Sequence, residues 1–152
     1  MTKKPFSPEE FKQIYSKVPR LCIDPIVRTK EGIVLSLRNG NYGWENQWHL
    51  PGGTLHYKET VEQGLRRLMK DEIGIEVKIV KVLGYKEFPS EEKERGFGWS
   101  VSLMILCDYV SGELRPDENA LEVKSFSKLP ENIVKEHKEF LEERWNEIMD
   151  DK

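Results

Sequence analysis

The chain has 152 residues, enough for about one domain with a core of its own. Charged residues make up 34%, above the usual ~25%, yet 24 Lys+Arg against 27 Asp+Glu leave a net charge of −3. That balance argues against a chain held on nucleic acid by bulk electrostatics, though not against a local basic pocket for a phosphorylated small molecule. The longest wholly apolar run, Leu103 to Cys107, is far short of the ~20 residues that span a bilayer, so no membrane partner is expected. The opening Met1-Thr2-Lys3-Lys4-Pro5 has no apolar segment behind its charges, so no signal peptide is expected either. Cys22 and Cys107 form no Cys-x-x-Cys pair, and both sit in apolar stretches. They read as core thiols in a reducing, cytoplasmic setting.

In chain order, Ser7-Pro8-Glu9-Glu10 starts a helix with an N-cap, a proline in the first turn and two acids. It is predicted to run to about Lys17 with Phe11, Ile14 and Tyr15 on one face. Leu21 to Arg28 reads as a strand, Lys30-Glu31-Gly32 as a turn, and Ile33 to Arg38 as the return strand. After a loop at Asn39 to Gly43, the short apolar stretch Trp48 to Leu50 stops at Pro51-Gly52-Gly53. Thr60 to Ile73 is predicted as a helix capped by Gly74. Ile75 to Phe88 is a long strand, or a pair broken near Gly84, and Ser90 to Gly98 a charged loop. Trp99 to Val110 and Leu121 to Phe126 are further strands, and Pro130 to about Met149 an amphipathic helix. Hairpins beside a crossover helix predict an α+β chain with a mixed sheet covered on both faces.

The helix from Thr60 carries the chemistry. On a helical wheel Val61, Leu65, Leu68 and Met69 form one apolar stripe, and Glu72 falls in its middle. A carboxylate there must be paired, protonated or bound to a cation. Asp71 lies on the stripe's edge, and Gly64 implies that something packs close. Upstream, Gly52-Gly53 lets backbone approach a ligand, and Glu59 precedes the helix. A glycine turn, one acid, and two adjacent acids one helix away suit Mg²⁺ or Mn²⁺, which bind oxygen ligands and substrate phosphates.

Gly53, Glu59, Arg67, Glu72 and Gly74, with apolar Met69 and Ile75, resemble the Nudix hydrolase signature G-x(5)-E-x(7)-R-E-U-x-E-E-x-G-U, where U is apolar. Pro51-Gly52-Gly53 after Trp48 looks like that family's entry to the motif. The resemblance implies a Nudix fold, with a mixed β-sheet in an α/β/α sandwich. It would span a single domain over 1–152, with an N-terminal helix in 1–17 and the signature in 53–75. Two family glutamates are replaced, by Leu68 and Asp71. One subgroup that carries Leu at the first position is the GDP-mannose mannosyl hydrolases. This chain also looks like that subgroup at Phe11, Val18-Pro19-Arg20, Asp24, Ile26-Val27, Gly32, Arg38 and Pro116-Asp117-Glu118. It departs from the subgroup at Thr54, where the subgroup has Arg, and at Asn119-Ala120, where it has a Gln-His pair with Gln on the metal and His as base.

These likenesses imply a Mg²⁺- or Mn²⁺-dependent hydrolase of a nucleoside diphosphate linked to another group, most simply a nucleotide sugar such as GDP-mannose. Gly53, Asp71, Glu72 and Asn119 are the expected metal ligands. Arg38 is the expected phosphate or leaving-group contact, because a guanidinium pairs with phosphate oxygens bidentately. Glu118 and Glu122, then Asp71, are candidates for the general base, and Arg67 reads as a structural tie to Glu59. His56 lies near enough to the glycine turn to meet substrate. His49 reads as a strand residue and His137 as a surface one. The bond attacked stays open between sugar C1 and phosphorus. The alternatives are a general nucleoside triphosphate or dinucleotide pyrophosphohydrolase, a non-catalytic Nudix ligand binder acting as a regulator, and a nucleic-acid-processing Nudix domain. The scattered Lys and Arg speak against the last. The subgroup likeness also implies a homodimer contacted through the N-terminal helix.

Overall fold

The computed structural model describes residues 4–150, so Met1 to Lys3 and the chain's last two residues lie outside the described residues. Helix α1, Pro8–Tyr15, starts as the sequence predicts: Ser7 caps it and Glu10 reaches back in a reciprocal capping box. The strands are β1 (Arg20–Thr29), β2 (Gly32–Arg38), β3 (Trp48–His49), β4 (Gly53–Thr54), β5 (Ile75–Glu87), β6 (Ser100–Gly112) and β7 (Ala120–Phe126). They form one sheet in which β3, β2, β1, β6 and β5 lie side by side, with β4 paired to β1 and β7 to β2. β1 and β6 are parallel and the other pairs antiparallel, so the sheet is mixed.

Each face of the sheet buries its own apolar cluster. On one face, helix α2 (Val61–Leu68) and the π-turn that extends it (Met69–Ile73) place Leu65, Leu68, Met69 and Ile73 against Ile23, Val27 and Ile105. On the other, helices α4 (Lys135–Glu143) and α5 (Trp145–Asp150) place Phe140, Leu141 and Ile148 against Ile26, Met104 and Leu106. This is the expected α/β/α sandwich. Cys22 and Cys107 are free and buried, as expected. No helix among the described residues is long and apolar enough to cross a membrane.

Three local readings are corrected and one open alternative is resolved. The predicted helix to Ile73 changes at Met69 from α to a wider π-turn before the left-handed Gly74 ends it. Ser90 to Gly98 is not all loop: Glu91–Arg95 forms a short helix, α3, in which the buried Glu91 pairs with Arg95 one turn on and with the distant Arg20. The terminal helix divides at Arg144 into α4 and α5. Of the two readings open for Ile75 to Phe88, the long strand is the one formed, as β5, with register shifts along it, one of them at Gly84.

One detail of β1 makes room for a site. Its edge pairs with β4 at Cys22 and Ile23, then with β2 at Arg28 and Thr29. Between these the ladder has a gap, and Pro25, which has no N–H to offer, falls in it. Asp24 stands at the start of the gap, next to the glycine turn.

Candidate active site

The Thr60 side chain and Gln63 form a capping box at the start of α2, which fixes the helix just after Glu59. Glu59 then turns back: its carboxylate takes Arg67 Nε at 2.6 Å and Nη2 at 2.9 Å. Arg67 also donates to the Thr54 carbonyl at 2.9 Å, so the pair ties α2 to β4. The close approach implied at Gly64 is real, since a Cβ there would meet Leu55 and Glu59 Oε1. The Arg67 guanidinium holds Glu59 down at about 2. His56 lies beside this pair rather than beside Glu72; its backbone N–H donates to Glu59 at 2.9 Å.

Glu72 sits at the other end, in the π-turn, in a contrasting environment. Gly52 N–H donates to its Oε2 at 3.0 Å, the one hydrogen bond it receives among the described residues. Burial, with the Asp117 charge adding to it, pushes Glu72 up to about 8. Oε1 faces Gly53. Leu68, which stands where the family has Glu, is buried in the α2 cluster and lies against Gly53. Asp71 is half-buried beside Glu72.

On the far side of Glu72 lies a cavity of about 60 Å³, whose wall includes Arg20, Asp24, Arg38, Trp44, His49 and His137. Arg38 stacks on the Trp44 ring at 4.8 Å. Burial, reinforced by the Arg95 charge, lowers Arg38 to about 10. Among the described residues, the Nε atoms of Arg20 and Arg38 are buried without a hydrogen-bond partner. Arg20 Nη1 reaches Thr54 Oγ1 at 2.8 Å, so β1 brings a guanidinium to the position that lacks an arginine of its own.

His137 is corrected from surface to core: only 4% of it is exposed. It lies on the α4 stripe with Phe140 and Leu141, four residues before Leu141, which is the signal that would have found it. Leu50 N–H donates to its Nδ1 at 3.2 Å, which leaves the ring proton on Nε2, 2.8 Å from Asp24 Oδ2. His49 stacks on the same ring at 6.3 Å, and burial holds it well below the ordinary histidine value.

The remaining predicted residues lie on the loop 116–119 and on β7. Asn39 Nδ2 donates to the Glu118 carbonyl at 2.9 Å, and Asn41 Nδ2 to Asn119 Oδ1 at 3.3 Å, which fix the loop against the end of β2. The Glu118 side chain is exposed. Glu122 is exposed too and lies 3.6 Å from Lys124. The structure therefore gathers Arg38, Glu72, Gly53 and Asp71 at one site, and does not bring Glu122 to it. Asp24, Asp117 and Arg20 surround the site without having been singled out for it. A charged residue inside the apolar run of β1 was the available signal for Asp24.

Among the described residues, no three His, Cys, Asp or Glu side chains converge closely enough to hold a metal by themselves. The donor chemistry still suits a hard cation. One half-buried carboxylate, Glu72, lacks a counter-charge at hydrogen-bond distance, a glycine turn exposes backbone, and such ions take the rest of their ligands from water and phosphate.

Residues 19–144 match the NUDIX domain. The chain is 28% identical over 127 residues to an ADP-ribose pyrophosphatase of Methanocaldococcus jannaschii, covering 78% of this chain and 73% of that one. It is 33% identical over 76 residues to the low-salt glycan biosynthesis protein Agl8 of Haloferax volcanii, about half of each chain. The crystal structure of a MutT NUDIX hydrolase from Burkholderia pseudomallei superposes with a TM-score of 0.71 at 24% identity, over 82% of this chain and 97% of that one, and supports the fold. The matched span contains the whole glycine turn, α2 and the π-turn with Glu72, and the chain belongs to the Nudix family, hydrolases of nucleoside diphosphate-linked compounds that generally use a divalent metal such as Mg²⁺.

Proposed function

We propose that this Nudix hydrolase acts on a nucleoside diphosphate linked to a sugar, with Mg²⁺ or Mn²⁺. The observation that carries the reading is Glu72, a half-buried carboxylate with no counter-charge at hydrogen-bond distance among the described residues, pushed up to about 8 and flanked by Arg38 and Asp24, which also line the cavity. The carboxylate calls for a cation, and Arg38, which has no ion pair among the described residues and a buried Nε without a partner, calls for an anion. A metal-bound diphosphate supplies both. Glu72, Asp71 and the Gly53 carbonyl would hold the ion, with Asn119 as a fourth donor from the 116–119 loop. Once bound, the cation stabilises negative charge on the phosphate oxygens. Arg38 and Arg20 orient the phosphates through their free Nε donors. Of the candidate bases, we place Glu118 first, because its loop is pinned beside Asp117 and β2; Asp71 follows, and Glu122 is last.

The sugar is supported from two sides. The archaeal relative is named for ADP-ribose, and the residues around Leu68 resemble GDP-mannose mannosyl hydrolases. Both substrates share one outline of nucleoside, diphosphate and sugar. The test is a product assay in ¹⁸O water with Mg²⁺ on a panel of nucleotide sugars. Label in the sugar assigns attack at C1, and label in the phosphate assigns attack at phosphorus. Turnover of nucleoside triphosphates alone would overturn the sugar. Leu68 and Ala120 favour a second reading, a non-catalytic binder. Saturable binding of the same compounds without any turnover would establish it.

The expected homodimer is part of the proposal, but α1 has a place in its own chain. Phe11 packs edge-on against Phe97 at 6.1 Å and lies under the guanidinium groups of Arg20 and Arg95. A dimer mass by light scattering at micromolar concentration supports the assembly, and a monomer mass removes it.

A further inference from the structure

Two adjacent side chains in the first turn of α4, Glu136 and His137, are both buried and both polar. Neither touches Glu72, and each ends a short chain of contacts that leads to one side of the candidate site. His137 holds Asp24 through Nε2 at 2.8 Å, and Leu50 N–H at 3.2 Å fixes the ring's other nitrogen. Asp24 in turn lies against Gly52, where any Cβ would collide with Asp24 Oδ1, and Gly52 is the residue whose N–H holds Glu72 at 3.0 Å. Glu136 takes the Ser90 backbone N–H and hydroxyl, both at 2.9 Å. Ser90 Oγ accepts the Trp44 indole N–H at 3.1 Å, and the Trp44 ring carries the Arg38 guanidinium at 4.8 Å. Trp44 has a left-handed backbone, φ 49°, which a bulky residue adopts only where its surroundings impose it.

We infer that Glu136 and His137 are a pair of positioning residues, with His137 setting the metal-binding side of the site through Asp24 and Glu136 setting the phosphate-binding side through Ser90, Trp44 and Arg38. One turn of a helix on the far side of the sheet from α2 thereby fixes the distance between the cation and the arginine that must share one diphosphate. Both residues are otherwise unexplained. A buried Glu and a buried His on an amphipathic helix cost desolvation that Leu or Phe would not, and their hydrogen bonds run toward the site. The inference rests on the function proposed above, the phosphate arm on its substrate and the metal arm on its cation site at Glu72.

The two arms separate experimentally. Outer partners of metal ligands typically contribute ~10–100-fold in metal affinity or activity. His137→Leu should therefore weaken Mn²⁺ binding, read by electron paramagnetic resonance, by about 10-fold or more. His137→Gln, whose amide can both accept from Leu50 and donate to Asp24, should restore it. Ser90→Ala breaks the other arm at a half-buried position with little risk to folding. It should raise KM several-fold for the best nucleotide of the panel while leaving Mn²⁺ affinity and kcat near wild type. A His137→Leu protein that folds and binds Mn²⁺ like wild type overturns the metal arm. An unchanged KM in Ser90→Ala overturns the phosphate arm. If His137→Leu does not fold, His137→Gln against His137→Asn decides the metal arm, because the shorter amide cannot span both partners; equal Mn²⁺ affinities overturn it. If the wild type hydrolyses nothing on the panel, the proposed substrate class fails, and the Mn²⁺ measurements still decide the His137 arm.

Discussion

The signature places two glutamates at opposite ends of one helix, and the fold treats them in opposite ways. Glu59 receives both arms of Arg67 and the His56 N–H, and is held down at about 2. Glu72 receives one N–H and is pushed up to about 8. The first carboxylate is satisfied within the chain and serves the architecture. The second is half-buried with no counter-charge at hydrogen-bond distance among the described residues, so its stability cost is accepted for something the chain does not itself contain. The contrast shows how to tell structural from functional acids in one motif: by whether the fold supplies the counter-charge.

The strongest way to break the comparison is at Glu72. Glu72→Gln should abolish Mn²⁺ binding and lower turnover of the nucleotide substrate by at least ~100-fold, since a lost metal forfeits several kcal/mol of charge stabilisation. In metal-free buffer the same variant should be more stable than wild type by about 1 kcal/mol, because a neutral amide replaces a half-buried carboxylate that has no counter-charge at hydrogen-bond distance. Binding of Mn²⁺ at wild-type affinity would show that Glu72 is not a ligand. An acid that served the architecture would lose stability on this change.

Leu68→Glu makes a second unanswered carboxylate beside the first. Leu68 is 4% exposed and packs with Leu65, Met69 and Ile23. Without metal the variant should lose about 3 kcal/mol, the cost of placing a carboxylate in that cluster. Saturating Mn²⁺ should return part of the loss if the new group turns toward Glu72. The ¹⁸O assay then reads whether the added carboxylate moves label from sugar to phosphate. No recovery with Mn²⁺ would mean that position 68 is purely core in this chain.

Arg67→Met tests the satisfied end. Removing one partner of a largely buried pair leaves Glu59 uncompensated, and a loss of about 2 kcal/mol is expected, below the full cost of a deeply buried pair because both side chains are 14% exposed. The pH profile gives the sharper reading. The pair depresses Glu59 from 4.5 to about 2, so its contribution is complete above about 4.5 and is lost as pH falls through that window toward about 2. Melting temperature against pH should therefore fall less steeply below pH ~4.5 in the variant than in wild type. Parallel curves would mean that the pair carries no net stability.

The sequence showed these two ends unevenly, and the reason is the range of the interactions. Glu59, Arg67 and Gly74 form a pattern within one helix and its cap, so the likeness to the Nudix signature placed them, and the apolar stripe around Glu72 marked its carboxylate as one that needs a partner. The π-turn at Met69–Ile73 has no local signature, because it is set by what α2 packs on. Glu91 sits in a run, Glu91 to Arg95, whose charges read as solvated loop. Glu91 is buried where it meets Arg20, far away on β1, and Arg95 in its own helix, and only the first of these contacts is invisible in the local sequence. His137 and Asp24 are 113 positions apart, so each carries a local signal of burial but their pairing is not readable until the sheet brings α4 over β1. The sandwich was legible because alternation and periodicity are local. The second layer of the site was not, because each of its contacts crosses the sheet or the chain.

Thr54 is where the two ends meet, and it offers the finest test. Arg67 Nη2 donates to its carbonyl at 2.9 Å, and Arg20 Nη1 donates to its hydroxyl at 2.8 Å. Thr54→Val deletes only the second bond while keeping the β-branched shape that suits β4. The stability cost should be about 1 kcal/mol, that of one hydrogen bond to a charged donor that solvent can partly replace. Because the Glu59 pair does not depend on the hydroxyl, Thr54→Val and Arg67→Met should add within ~0.5 kcal/mol in the double variant. Arg20, by contrast, belongs to the cavity, so Thr54→Val should raise KM for the nucleotide about two- to threefold while Mn²⁺ affinity stays constant, a change in transition-state binding well under 1 kcal/mol. A clear non-additivity between Thr54 and Arg67 would mean that the structural end and the phosphate-binding end are one unit, and that the counter-charge holding Glu59 also sets the position of Arg20.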